Sequence, residues 1–141
     1  MFRQANILFL AAIMASCSMT PQPIQYGKDA CDFCRMTIMD PKFGGELITK
    51  KGKVFKFDSE ECLVNYYKIN SAHQGDFRSI LVADFSHPGK MLVADHAVFL
   101  QDESIGSPMG AHLAAFPTDT VASIYRVSPH ARILSWDSLI N

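Results

Sequence analysis

Cys31-Asp32-Phe33-Cys34-Arg35-Met36 places two thiols and a thioether on one short segment. Thiolate and thioether are soft donors that favour Cu(I), whereas Zn(II) prefers thiolate with imidazole, so Met36 tilts the segment toward copper. Two or three sulfurs suffice for Cu(I), which needs no fourth protein ligand. The three can converge on one ion if the segment is a turn entering a strand, with Met36 and Ile38 on one face and Thr37 and Met39 on the other. Taken alone, Met36 would be read as a gap-filling core residue. A second methionine, Met109, lies far along the chain in Ser107-Pro108-Met109-Gly110, with Gly106 before it. A long apolar side chain held between glycines and a proline fits a loop better than a core, and loops carry function more often than packing. Met39 and Met91 fit buried or strand positions and receive no role.

Of the four cysteines, Cys17 belongs to the N-terminal region and Cys62 sits in Ser59-Glu60-Glu61-Cys62-Leu63-Val64 on an expected helix, where a small buried core residue is the expectation. An odd number of remaining thiols is a poor disulfide framework. The histidines, His73, His87, His96, His112 and His130, form no His-x-His or His-x-x-x-His pair. His112 would share a face with Met109 if a helix began there, but a polar surface role is the expectation. A thiol-disulfide oxidoreductase using Cys31 and Cys34 is the rival from another class. It normally needs a helix behind the first thiol, and Pro41, Gly44 and Gly45 leave little room for one. No Gly-x-Ser-x-Gly, His-Glu-x-x-His or paired-carboxylate signature is present, so an enzyme is disfavoured.

The elements that must position these donors are legible in part. Gly45–Thr49 and Val54–Phe57 alternate around Lys50-Lys51-Gly52-Lys53 and predict a β-hairpin. Asp58 or Ser59 offers an N-cap for a helix ending near Asn70, and Ser79–Phe85 reads as a strand, giving β-β-α-β. Met91–Ala94 and Ala97–Gln101 as strands, Thr118–Val127 as a helix and Arg132–Trp136 as a strand would repeat that order. The fold class predicted is α+β with two β-β-α-β halves, although identity between the halves is too low to claim a duplication.

The 141 residues are 48% hydrophobic and 19% charged, which allows one modest core. A formal charge of −1 without long runs of either sign gives no footprint for nucleic acid. Arg3, the apolar Ile7–Ala15 and the small residues before Cys17 resemble a bacterial lipoprotein signal, too short to span a bilayer. Residues 1–16 are therefore expected to be cleaved, leaving Cys17 lipidated at the head of a tether to residue 25. The domain is expected over 26–141, by the composition change at Tyr26. Acyl chains on Cys17 would hold the protein firmly at the membrane, at about 0.8 kcal/mol per buried methylene.

Together the residues resemble the NosL family of lipoprotein copper chaperones. The resemblance rests on the lipoprotein start, Cys31–Met36 followed by Ile38-Met39-Asp40, Phe43-Gly44-Gly45-Glu46-Leu47, Gly52-Lys53 leading to Phe57-Asp58, and Ser107-Pro108-Met109-Gly110 leading to Ala114-Ala115-Phe116. It implies Cu(I) binding in the bacterial periplasm, delivery to nitrous oxide reductase or its maturation machinery, and a fold like part of organomercurial lyase. It also implies Met36, Met109 and one cysteine of the Cys31/Cys34 pair as metal ligands, with the choice between the two open. A homodimer that completes the site is likewise left open.

Overall fold

The computed structural model describes residues 22–141, so Cys17 and the expected signal segment lie outside the described residues. The first hairpin forms as expected, β1 (Gly45–Thr49) against β2 (Val54–Phe57), with Gly52 at φ 86° in its turn. Ser59 caps the following helix, α1 (Glu60–Ile69), its Oγ accepting the Cys62 N–H at 3.2 Å. Leu63, Val64 and Tyr67 recur at helical spacing and are buried against the sheet, so packing of one face holds the helix more than propensity does. Gly45 permits this approach, because a Cβ there would run into the Leu63 side chain and stand 2.6 Å from the Leu81 carbonyl. After a 3-10 segment at Ser71–Asp76, β3 (Phe77–Ala83) returns beside β1.

β4 (Met91–Val93) departs from expectation: it pairs with β3 and completes a first antiparallel sheet of order β2-β1-β3-β4. The second half is built instead from β5 (Val98–Gln101), β6 (Leu113–Phe116), α2 (Asp119–Ile124) and β7 (Arg132–Leu134), in sheet order β6-β5-β7. β6 has no counterpart among the expected strands. All four of its residues are buried, so it lacks the alternation by which a half-exposed strand is recognised, and two of them are alanines with weak strand preference. α2 stops at Ile124, short of the expected Val127, because the N–H groups of Val127 and Ser128 are taken by Asp102 Oδ2 at 2.8 and 2.9 Å. Trp136 begins a short helix, α3 (Trp136–Ile140), capped reciprocally by Ser135 and Ser138, where the end of a strand was expected. The α+β class and the two β-β-α-β halves stand, with β4 added to the first.

The sheets join where Asp84 bridges to Ala115 and the Phe85 N–H reaches the Ala115 carbonyl at 2.9 Å. One core packs Leu47, Phe57, Leu63, Val82, Phe99 and Trp136; a smaller one gathers Leu100, Phe116 and Ala122 under α2. The packed chain also begins before Tyr26. Ile24 lies in the larger core and the Pro23 carbonyl accepts from Lys56 Nζ at 3.2 Å, so part of the stretch read as tether belongs to the fold.

Candidate metal centre

Residues 27–38 form a small loop closed on itself. Gly27 N–H bonds to the Ile38 carbonyl, Ile38 N–H to Asp29 and Cys31 N–H to Met36, all at 2.8 to 2.9 Å, with an antiparallel bridge between Ala30 and Thr37. The chain between Cys31 and Met36 turns by an Arg35 N–H bond to the Cys31 carbonyl at 3.0 Å, with Arg35 in the left-handed region at φ 67°. This geometry aims backbone donors at sulfur. The Cys34 N–H lies 3.5 Å from Cys31 Sγ. No helix follows, so the turn lacks the helix N-terminus that activates oxidoreductase thiols.

The loop is fastened to β2. Asp32 N–H donates to the Lys56 carbonyl, Lys56 N–H returns to Asp32 Oδ2, both at 2.8 Å, and Lys56 Nζ meets Asp29 Oδ2 at 2.6 Å. Since β2 runs through Asp58 and the Ser59 cap into α1, this fastening sets the loop against the first turn of that helix. Its consequence is the central observation: the Sγ atoms of Cys31, Cys34 and Cys62 lie within 4.8 Å of one another. Cys62 is fully buried in the larger core, as expected, and the fold also brings its thiol beside the other two. The signal available in the sequence was its place as the third helical residue behind Ser59, where the N–H groups of the first turn favour negative charge.

The three thiols differ in character. Hydrogen bonding from Cys62, helped by the N–H groups of Cys34, Asp58 and Phe33, brings the Cys31 pKa down to about 5 against the opposing effect of burial. Cys62, the donor in that pair, is pushed up by the same hydrogen bond and by burial. Burial also raises Cys34, partly offset by the Met36 N–H. One negative charge on three sulfurs therefore resides on Cys31. Cys31 and Cys62 are fully buried and Cys34 is half-buried, so the cluster opens at Cys34.

The methionines sit otherwise than a strand would place them. Met36 is 49% exposed while Ile38 is fully buried, because the ladder beyond Thr37 ends and no shared face develops. Met39, expected in a buried or strand position, is 65% exposed. Met109 occupies the loop of residues 102–112 between β5 and β6 and is 44% exposed. No helix starts beside it. His112 is held at φ 58°, and its Nδ1 donates to the Ile105 carbonyl at 2.7 Å, since a carbonyl only accepts.

The family model NosL matches residues 23–139, nearly all of the described chain. The chain belongs to the NosL family. The crystal structure of the copper chaperone NosL from Shewanella denitrificans shares the fold at a TM-score of 0.72 and 23% identity, covering 84% of this chain and 94% of that one. No curated protein sequence matches the chain. The family match begins at residue 23, in agreement with the packing of Pro23 and Ile24 ahead of Tyr26.

Proposed function

We propose that this NosL-family protein is a Cu(I) metallochaperone that holds one cuprous ion on sulfur and passes it to an envelope protein. The observation that carries the reading is the three-thiol cluster, in which hydrogen bonding from Cys62 lowers the Cys31 pKa and so favours its thiolate. Thiolates suit a d10 cuprous ion in two- or three-coordinate geometry, while Zn(II) would require a fourth donor. Cys31 is the anchoring ligand, and Cys62 and Cys34 join as their protons are displaced, since a metal-bound thiol must be ionised. Cys34 is the ligand an incoming donor atom reaches first, so exchange with a recipient begins there. Met36 and Met109 supply thioethers that favour Cu(I) over Zn(II). The recipient suggested by the family resemblance is nitrous oxide reductase or its maturation machinery, with Cys17 as the lipid anchor facing the periplasm.

Anaerobic titration of the reduced protein with Cu(I) against a chromophoric competitor, with Zn(II) in parallel, tests the reading. One tightly bound Cu(I) per chain and weaker Zn(II) binding are expected. Tight zinc binding with negligible copper uptake would overturn it.

A further inference from the structure

Glu61, the residue before Cys62, ties the first turn of α1 to the loop that carries Met109. Its Oε1 accepts the Ser107 hydroxyl at 2.5 Å and the Ala111 N–H at 3.0 Å, and Ser107 Oγ in turn accepts the His112 N–H at 3.0 Å. These bonds pinch both ends of the Ser107–Ala111 turn, which the Gly110 N–H closes onto the Ser107 carbonyl at 3.1 Å. Met109 at the tip is 44% exposed, so its placement follows from the turn's backbone more than from packing. A turn at a protein surface can satisfy its N–H groups with water and does not need a buried carboxylate. Yet Glu61 is only 9% exposed, and its Oε2 is buried without a hydrogen-bond partner among the described residues. Burial of this kind is costly, and the two bonds made by Oε1 hold both ends of the turn in return. A cleft of about 520 Å³ bordered by Glu61, Ala111 and Leu113 lies alongside, so a released turn has room to swing.

We propose that Glu61 is a positioning residue of the copper site: it fixes the Met109 turn relative to Cys62 on the same helix, and so sets the thioether contribution and the preference for Cu(I) over Zn(II). The inference rests on Met109 being a donor. Coupling of this kind runs through one carboxylate oxygen and two loop groups, so a side chain that keeps the acceptor keeps the effect.

The test compares Glu61→Leu, Glu61→Gln, Met109→Ala and the Glu61→Leu/Met109→Ala double variant of the reduced full-length protein in Cu(I) and Zn(II) competition titrations. Glu61→Leu is expected to weaken Cu(I) binding roughly tenfold, as loss of a supporting contact does, while Zn(II) affinity changes by less than about twofold. Glu61→Gln, which retains Oε1 as an acceptor, should match the parent, and the double variant should match Met109→Ala alone. Equal losses for both metals, a fully additive double variant, or unchanged copper affinity in Glu61→Leu would overturn the proposal. If Glu61→Leu does not fold, Ser107→Ala removes one of the same bonds and must shift Cu(I) binding in the same direction. Unchanged copper affinity in Met109→Ala marks failure of the donor assignment itself. An effective Met109→Ala beside a silent Glu61→Leu marks failure of the positioning role.

Discussion

The two halves of the molecule share one topology and only one of them holds thiols. β2-β1-β3 and β6-β5-β7 have the same strand order, and each helix follows its hairpin through a capping hydroxyl: Ser59 bonds the Cys62 N–H, and Thr118 bonds the Val121 N–H. Cys62 and Val121 are thus the same position, the third helical residue. What separates the halves is a side chain there and the placement of loops. The first half receives the 27–38 loop, fastened onto β2 by Asp29, Asp32 and Lys56; its own hairpin turn, residues 50–53, is short. The second half has no such loop, but its hairpin connection, residues 102–112, is long enough to reach Glu61. The shared scaffold therefore supplies a capped helix end, and additions to it decide whether that end meets a cluster of thiols.

Removing both thiols of the added loop, Cys31→Ser with Cys34→Ser, should make the first half as inert as the second. Loss of high-affinity Cu(I) binding in a competitor titration is expected, and retained binding would place the site elsewhere. Cys62→Val makes the two helices alike at the position that differs. It should weaken Cu(I) binding by roughly a hundredfold, toward the upper range for loss of a metal contact, at a stability cost of about 1 to 3 kcal/mol for the extra methyl in a packed core. Unchanged affinity would return Cys62 to a packing role.

Asp102 tests the second half without touching the thiols. The N–H groups of Ser104, then Ser128 and Val127, hold its carboxyl below the usual carboxylate range against the effect of burial. A depressed folded pKa stabilises the protein above the ordinary value of about 4 and loses that contribution as pH falls through the folded one. Asp102→Ala should therefore lower the Tm at neutral pH, and the gap from the parent should close below about pH 4. A gap independent of pH would deny the carboxylate that role.

The smallest effect is expected at Arg35, whose left-handed backbone costs an L-residue about 1 kcal/mol. Arg35→Gly should raise stability in urea by about that amount, less the entropy glycine loses on folding. The Asp32–Arg35 pair at 3.8 Å is exposed and offsets little. A drop in stability would show that the side chain contributes more than its backbone costs.

The sequence by itself determined the neighbouring thiols at Cys31 and Cys34, the first hairpin, the Ser59 cap and the α+β class. Each depends on neighbours along the chain: donor type and spacing, alternation of two, a hydroxyl before a helix. It left β6 undetected because a strand buried on all sides has no alternation to read, and it assigned β4 to the wrong half because pairing partners are not written locally. Only the tertiary structure decided that Cys62 joins Cys31 and Cys34. That convergence depends on Asp32 bonding to Lys56, 24 residues away, and the hold on the Met109 turn depends on Glu61 reaching Ser107 across 46 residues. Contacts closed over such separations are set by how packed elements meet, and no periodicity or spacing in the chain encodes where two distant side chains will arrive.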